Sequence, residues 1–314
     1  MKGIITKIER CSTEDGPGIR TTLFLKGCPM SCLWCHNVEA IDDELQLVWH
    51  KSKCIGDRAC IQACHHDALD LTGHGMNIDY EKCVLCGACE AACPSGALEI
   101  IGTEWSAKKL VEELARDAVF FEKSGGGVTF SGGEPTHQLD FVEDVAKGLH
   151  EMGIHVALDT CGYCSEKEML RVVNNVDLVL YDLKVLDPQK HRQYTGVSLD
   201  IVVSNARLIA DRGIPAWVRT PVVPGYTDSD QNIISIARFI RENMPNVRRY
   251  DLLAFNRMCT EKYHLIGREF PLSNAPLMTK DRMDELADLA RAQGLKIVEW
   301  SGMIRRKEGR DAIS

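Results

Sequence analysis

Residues 21–37, TTLFLKGCPMSCLWCHN, decide how this chain is interpreted. An apolar, β-rich run is followed by Lys-Gly and then by Cys28, Cys32 and Cys35, with Trp34 directly before the last cysteine. Three thiolates on a short loop can hold three irons of an iron–sulfur cube and leave the fourth iron open to a small chelating molecule. α/β folds place their sites at the carboxyl ends of strands, where this loop begins. The spacing therefore predicts a cluster with an open position.

Strand-like and helix-like segments alternate from residue 104 onward. After TTLFLKG, the β-rich segments are VTF at 128–130, IHVALDT at 154–160, VDLVLYDLK at 176–184, AWVRTPVV at 216–223, YDLLAF at 250–255 and LKIVEW at 295–300. The helical patterns cover 105–121, 139–152, 166–173, 204–212, 229–243 and 280–293. About six strands separated by helices predict parallel βα units, in a doubly wound sheet or a barrel.

Residues 50–101 break this alternation with seven cysteines and an internal repeat, KCIGDRACIQACHHDALDL and KCVLCGACEAACPSGALEI. The second half has the spacing C-x2-C-x2-C-x3-C-P at Cys83, Cys86, Cys89 and Cys93, which is the bacterial ferredoxin run. A zinc ribbon would instead pair two C-x2-C knuckles across a longer gap. The segment is therefore predicted to be an inserted ferredoxin-like module that conducts electrons.

The first half of the repeat is less regular. Cys54, Cys60 and Cys64 fill the first, third and fourth ferredoxin positions, and Asp57 fills the second. Crossed ligation gives one cluster Cys64 with Cys83, Cys86 and Cys89, and the other Cys54, Cys60 and Cys93 with an uncertain fourth ligand. Three outcomes are open: Asp57 completes a four-iron cube, the site settles as a three-iron cluster, or His65 or His66 takes the place.

Composition limits the remaining classes of function. The formal net charge of −8 leaves no basic excess for general nucleic-acid binding. No apolar run approaches the roughly 20 residues of a membrane helix, and we expect no membrane partner. Fourteen cysteines, clustered at short spacings, suit metal binding in a reducing cytoplasm better than a disulfide framework. The polar tail at 304–314 is expected to be loose.

At this point the sequence resembles a known family. CxxxCxxC with an aromatic residue before the third cysteine is similar to the radical S-adenosylmethionine enzymes. Within them, the chain resembles the activating enzymes of glycyl radical enzymes over essentially its whole length. The matching segments are DGPGIRTTLFLKGCPMSCLWCHN, VTFSGGEP, ALDTCGY, YDLK and WVRTPVVPGYTD. The resemblance implies a partial (β/α)6 barrel, formed by residues 1–49 and 102–314, into which residues 50–101 are inserted. Such inserts resemble those of the activators of hydroxyphenylacetate decarboxylase, choline lyase, glycerol dehydratase, benzylsuccinate synthase and isethionate lyase.

The resemblance also implies a site for S-adenosylmethionine, whose amine and carboxylate would chelate the open iron. The turn at 131–134 would receive the amine, and Asp159 resembles part of a monovalent-cation site. The matching positions are Trp34, Ser131, Gly132, Gly133, Glu134, Asp159, Asp182, Lys184, Arg219 and Asn256. Relatives often carry histidine where this chain has Asn256, which can hydrogen-bond but cannot titrate. Cys161, Cys164 and Cys259 are expected to be packing residues.

The implied reaction is that of an oxidoreductase of anaerobic metabolism. S-adenosylmethionine would be cleaved reductively to methionine and 5′-deoxyadenosine, with a hydrogen taken from a glycine Cα of the partner. Asp15 and Gly16 match a loop that grips the partner's C-terminal glycine loop. Flavodoxin or ferredoxin would be the reductant, and a monomer is expected. Two rivals stay open: a radical enzyme acting on a small molecule, and a pure electron carrier.

Overall fold

The computed structural model describes residues 1–305; residues 306–314, most of the tail expected to be loose, lie outside the described residues. Its strands are β1 Lys2–Ser12, β2 Arg20–Leu25, β3 Gln46–Trp49, β4 Leu69–Thr72, β5 Gly75–Ile78, β6 Leu98–Ile101, β7 Thr103–Ser106, β8 Gly127–Gly132, β9 His155–Thr160, β10 Leu178–Asp182, β11 Ala216–Val222, β12 Val247–Ala254 and β13 Val298–Gly302. Its α-helices are α1 Ala59–Gln62, α2 Ala88–Ala92, α3 Ala107–Leu114, α4 Ala118–Ser124, α5 Leu139–Glu151, α6 Glu166–Val173, α7 Pro188–Thr195, α8 Leu199–Asp211, α9 Asp230–Asn243, α10 Thr260–Leu265 and α11 Lys280–Arg291.

One sheet of nine strands organises the molecule, in the order β13-β12-β11-β10-β9-β8-β2-β1-β7. From β2 through β13 the neighbouring strands pair in parallel, whereas β1 pairs antiparallel with both β2 and β7. Helices connect each parallel strand to the next, which gives six βα crossovers in an open sheet. The predicted α/β class and partial (β/α)6 barrel are confirmed, with the antiparallel β1 and β7 as additions.

The central strands are buried on both faces, as expected of parallel strands covered by helices. Val128, Phe130 and Leu158 have no exposed surface. Outside them, α5 contributes Val142 and Leu149, which are fully buried and two turns apart on one helical face. Each such side chain stabilises the fold by about 1.5–3 kcal/mol. This rigid core fixes the positions of the strand ends.

The inserted module has little core of its own. β3 pairs antiparallel with β6, with Leu47 opposite Ile100 and Trp49 opposite Leu98, while β4 and β5 form a hairpin. One small cluster of buried residues packs inside it, formed by Leu47, Cys60, Leu69, Cys89 and Leu98. A module this small needs stabilising cross-links in addition to hydrophobic burial. Bonds between a metal and cysteine thiolates can supply them. Its small sheet begins at Gln46, slightly before the boundary at residue 50 that the sequence suggested.

Candidate functional site

A cavity of about 390 Å³ lies at the carboxyl ends of β8 to β13. We call it the strand-end cavity. Cys28, Cys32 and Cys35 line one side of it. The other predicted residues that line it are Trp34, Ser131, Gly132, Gly133, Asp159, Asp182, Lys184, Arg219 and Asn256. Parallel strands bring their carboxyl ends to one edge of the sheet, which is why residues far apart in sequence meet here.

The cysteine loop is fastened to the barrel by its backbone. The N–H of Ser31 donates to the carbonyl of Thr195 at 2.9 Å, and the N–H of Leu33 donates to that of Tyr194 at 3.0 Å. Trp34 is 6% exposed and meets the Tyr194 ring edge-on, with 6.2 Å between ring centroids. The end of α7 therefore holds the loop in a fixed shape.

The three thiols of this loop are free and enclosed. Burial raises the pKa of Cys32 to about 11 and that of Cys35 to about 12. Thiols in such surroundings are protonated at neutral pH, and iron must displace those protons when it binds. Three reduced thiols that share one cavity and form no disulfide have the donor chemistry that an iron–sulfur cluster requires.

Gly132, the last residue of β8, and Gly133, which follows it, allow a close approach between backbones. A Cβ on Gly133 would lie 2.3 Å from the carbonyl oxygen of Gly27, and Gly132 has a φ of 107°. The N–H of Glu134 also donates to the Gly27 carbonyl at 2.7 Å. The glycines therefore seat the turn at 131–134 directly against the start of the cysteine loop.

The side chain of Glu134, the last residue of this turn, lies beneath the turn and does not line the cavity. Its carboxylate accepts hydrogen bonds from the Thr160 hydroxyl and the Cys161 N–H, both at 2.8 Å. The N–H and the hydroxyl of Thr136 are two further donors, at 3.2 and 2.9 Å. Glu134 is 1% exposed. The carboxylate of Glu134 thus accepts four hydrogen bonds from within the protein. The part of the turn that faces the cavity is its backbone.

Buried charges form the side of the cavity made by β9, β10 and β11. Lys184 Nζ donates to Asp182 Oδ2 at 2.6 Å, and Arg219 pairs with Asp159. Burial opposes the charge on Lys184, but Asp182, together with Cys32 and Cys161, raises the lysine pKa. Burial, reinforced by Asp182, raises the pKa of Asp159 to about 6 although Arg219 opposes the shift. Within residues 1–305, Arg219 Nε is buried and forms no hydrogen bond, but it lies 3.6 Å from Asp182 Oδ1, so its nearest charge is that carboxylate.

Asp15 and Gly16 lie at the edge of this network. Asp15 Oδ2 accepts from the hydroxyls of Ser12 and Thr22, each at 2.7 Å, and its Oδ1 is 3.8 Å from Arg219 Nη1. Gly16 has a φ of 123°, which favours glycine. The loop is therefore held in place beside the charged wall of the cavity.

Asn256 and Cys161 are two more residues of the lining. Asn256 lies at its edge, where its Oδ1 accepts from the Met258 N–H at 3.0 Å and its carbonyl lies 3.1 Å from His36 Nε2. Cys161, expected to be a packing residue, also lines the cavity, and its thiol interacts with Cys28. That expectation missed its place in the site; the signal that could have found it is its position directly after β9, at the carboxyl end of a parallel strand.

The inserted module brings its cysteines together in two sets. Cys64, Cys83, Cys86 and Cys89 surround one cavity of about 20 Å³. This is the set that crossed ligation predicts. Burial and the nearby Cys83 and Cys64 raise the pKa of Cys89. Within residues 1–305 no three His, Cys, Asp or Glu side chains are grouped to hold a single metal ion; the ligands of a cube bind separate irons and stand farther apart.

The second set consists of Cys54, Cys60 and Cys93. Burial raises the pKa of Cys60, and Cys93 and then Cys54 add to the shift, as expected of thiols near one another. Asp57 is exposed, and its Oδ1 accepts from the N–H of Ala59 at 3.2 Å. The structure thus groups the three thiols, while the Asp57 carboxylate is engaged by the backbone of its own loop.

Comparisons with known proteins agree with this arrangement. The radical SAM superfamily model matches residues 76–237, and the 4Fe-4S dicluster domain model matches residues 53–97. The trans-4-hydroxy-L-proline dehydratase activating enzyme of Clostridioides difficile is 35% identical over 93% of this chain and 97% of its own length. The isethionate sulfite-lyase activating enzyme of Nitratidesulfovibrio vulgaris is 37% identical, over 88% and 91% respectively.

The comparison with solved structures bears on the fold of the chain. A radical SAM methyltransferase from Sphaerobacter thermophilus has a TM-score of 0.53 at 14% identity, over 95% of this chain and 77% of that one. None of the helices described between residues 1 and 305 has the length and apolar character that a membrane crossing needs. The family-model match and the identities to the two activating enzymes show that the chain belongs to the activating enzymes of glycyl radical enzymes, within the radical SAM superfamily.

Proposed function

We propose that this protein activates a partner enzyme by removing one hydrogen atom from the Cα of a specific glycine, which leaves a glycyl radical. The observation that carries the proposal is the strand-end cavity, with three free thiols on one side and buried charges at the strand ends. When bound, the cluster and S-adenosylmethionine supply the reductive cleavage that ends in methionine and 5′-deoxyadenosine. The protein supplies the positions of these groups and excludes water.

Cys28, Cys32 and Cys35 would hold three irons and leave the fourth for S-adenosylmethionine. Arg219 Nε forms no hydrogen bond, although it lies 3.6 Å from Asp182 Oδ1, and it lines the cavity together with Lys184. These two cations would turn from their ion pairs with Asp159 and Asp182 toward the carboxylate of S-adenosylmethionine. Backbone groups at 131–133 would bind the amine, while Glu134 keeps that turn in place. Trp34, Asp182 and Asn256 would complete the contacts, and Asp159 would serve the cation site.

Asp15 and Gly16 would bind the backbone of the partner's C-terminal glycine loop. Their loop lies beside Arg219, with 3.8 Å between Asp15 Oδ1 and Arg219 Nη1. A target glycine bound there would enter the cavity from the charged side. The two named relatives activate a dehydratase and a sulfite-lyase. The candidate partners that the sequence resemblance suggests are an isethionate lyase, a choline lyase, a hydroxyphenylacetate decarboxylase and a diol dehydratase.

Residues 50–101 would form a separate ferredoxin-like domain that carries two clusters, beside the core of residues 1–49 and 102–314. Its Cys64–Cys83–Cys86–Cys89 set would bind a four-iron cluster. Its Cys54–Cys60–Cys93 set would bind a second cluster, with Asp57 as the fourth ligand that the ferredoxin spacing favours. Flavodoxin or ferredoxin would supply electrons to them. Fourteen free cysteines suit the reducing cytoplasm of an anaerobe, where the protein would work as a monomer.

The experiment that tests this function is anaerobic incubation of the reconstituted protein with S-adenosylmethionine and a reductant. We expect 5′-deoxyadenosine, and with the correct partner a glycyl radical as well. A pure electron carrier would form no 5′-deoxyadenosine. If 5′-deoxyadenosine forms but no candidate partner gains a radical, a small molecule is the substrate instead.

A further inference from the structure

The small sheet of the inserted module, formed by β3 and β6, shows which of its two cysteine sets lies nearer to the core. Its Gln46–Ile101 end adjoins the main body, because Gly102 leads directly into β7. The Cys64–Cys83–Cys86–Cys89 cavity is lined by Leu47 and Ile100, which are paired near that end. Two residues farther out, about 7 Å along a strand, Trp49 pairs with Leu98.

The other set lies toward this outer end. The Cys93 thiol accepts a hydrogen bond from the N–H of Ala97 at 3.2 Å, and Ala97 directly precedes β6. The carbonyl of Ala97 accepts a hydrogen bond from the N–H of His50 at 2.7 Å. His50 directly follows β3, and from there the chain runs toward Cys54. The Cys54–Cys60–Cys93 set is therefore the outer of the two, where electrons would enter the protein.

A basic loop surrounds this entry point. Residues 51–58, KSKCIGDR, contain Lys51, Lys53 and Arg58, and all three side chains are exposed. Asp57 is the one carboxylate in the loop, and Ile55, between the cations, is 67% exposed. By contrast, the surface leading to Cys83 has Lys82 paired with Asp79 at 3.0 Å. On a protein of net charge −8, the loop is a local positive patch with an apolar centre.

We propose that the basic loop, residues 51–58, is the docking surface for an acidic one-electron carrier protein that reduces the Cys54–Cys60–Cys93 site. This inference rests on the proposed function of the inserted module. One electron leaves the carrier, which is oxidised, and enters the iron–sulfur site, which is reduced; no bond forms or breaks and no proton moves. Opposite charge speeds such encounters by about 10- to 1,000-fold, with a steep dependence on salt.

The surface also has the dimensions that a transient encounter needs. Electron-transfer complexes bury little area and dissociate quickly, so a short loop with one apolar contact is sufficient. Ile55 provides that contact next to Cys54, and Lys51 and Lys53 provide the attraction. The negative charge of the rest of the chain would repel an acidic carrier from other approaches.

The test is the double substitution Lys51→Glu/Lys53→Glu, which leaves Arg58 and its left-handed backbone unchanged. The matched control is Lys108→Glu/Lys147→Glu, the same charge change at exposed positions on α3 and α5. Reduction of the reconstituted protein by an acidic, reduced [2Fe–2S] ferredoxin is followed by stopped-flow absorbance across ionic strengths, without S-adenosylmethionine. Photoreduced deazaflavin, a small neutral reductant, is used in parallel, and the Kd for oxidised ferredoxin is measured by titration.

We expect the second-order rate with ferredoxin to fall at least about tenfold at low salt, the difference to shrink as salt rises, and the Kd to increase. The deazaflavin rate and the control variant should match the parent. An unchanged ferredoxin rate, or an equal loss in the control, would overturn the proposal. If the double Glu variant binds less iron than the parent, the variant Lys51→Gln/Lys53→Gln, prepared with its full iron content, replaces it. The same criteria then decide whether the proposal holds. Because S-adenosylmethionine and a glycyl radical partner are absent, failure here is distinguishable from failure of the proposed function.

Discussion

The carboxylate of Glu134 accepts a hydrogen bond of 2.8 Å from the N–H of Cys161, and so ties the turn after β8 to the end of β9. The same carboxylate holds Thr136 and Thr160. The turn itself abuts Gly27 at the start of the cysteine loop. A residue that does not line the cavity therefore sets the relative position of its walls.

Replacement of Glu134 by glutamine should destabilise the protein. The side-chain NH2 would face donors instead of accepting from them, and an unsatisfied buried group costs about 1–3 kcal/mol. We expect a lower melting temperature for Glu134→Gln apoprotein and weaker binding of S-adenosylmethionine to the reconstituted protein. Glu122→Gln, an exposed change on α4, is the control. Equal melting temperatures in both variants would contradict this account of Glu134.

Removal of one thiol from the cysteine loop should eliminate one cluster. Cys32→Ala is expected to lose about a third of the bound iron, because one of the three proposed clusters then lacks a ligand, and to abolish 5′-deoxyadenosine formation. Cys11→Ala, which removes an exposed thiol outside all three sets, should retain both. Iron analysis and product chromatography measure the two outcomes. Retention of full iron by Cys32→Ala would show that the loop is not a cluster site.

Much of the fold followed from apolar periodicity. The helical pattern at 166–173 and α6 have the same limits, and the pattern at 280–293 matches α11 to within two residues. β1 was not predicted, because Lys2, Lys7, Glu9 and Arg10 interrupt the continuous apolar run that marks the parallel strands, and because it pairs antiparallel outside the βα units. α7 was also missed: its apolar face is sparse, although Asp187 caps it and Pro188 occupies its first turn.

The sequence predicted the parts of the site that belong to local motifs. It did not predict the residues whose position in the site depends on packing. The spacings of Cys28, Cys32 and Cys35 and of the ferredoxin run are local, so the sequence reveals them directly. The inward position of Glu134 depends on partners from β9, 26 and 27 residues away. The meeting of Cys161 with Cys28 likewise depends on the order of the strands. Contacts of this kind require the assembled sheet.

Substitutions at Asp57 should reveal the fourth ligand of the outer cluster. If Asp57 ligates a cube, as the ferredoxin spacing favours, Asp57→Ala should lose one iron per protein and Asp57→Cys should keep the iron while changing the electron paramagnetic resonance spectrum of that cluster. If the parent holds a three-iron cluster, Asp57→Cys should gain one iron instead. Identical spectra and iron contents in all three proteins would exclude Asp57 and direct attention to His65 and His66.

The raised pKa of Asp159 should appear as a pH dependence of stability. Burial and Asp182 bring this pKa to about 6 in the folded protein, against about 3.9 in an unfolded chain. The folded state therefore binds more protons between these values, and stability falls as pH rises from about 4 to 6, by at most about 3 kcal/mol. Relative to Asp159→Asn, the melting temperature of the apoprotein should decline over that interval and stay level above it. A constant difference across the interval would refute the shift.

The central claim is hydrogen abstraction from a glycine of a partner enzyme, and one measurement tests it most directly. Each candidate partner is prepared with glycine deuterated at Cα and incubated anaerobically with the reduced protein and S-adenosylmethionine. With the correct partner, we predict deuterium in the 5′-deoxyadenosine and an electron paramagnetic resonance doublet from unlabelled partner that collapses with deuterated partner. Formation of 5′-deoxyadenosine without deuterium, and without a glycyl signal from any partner, would contradict the account.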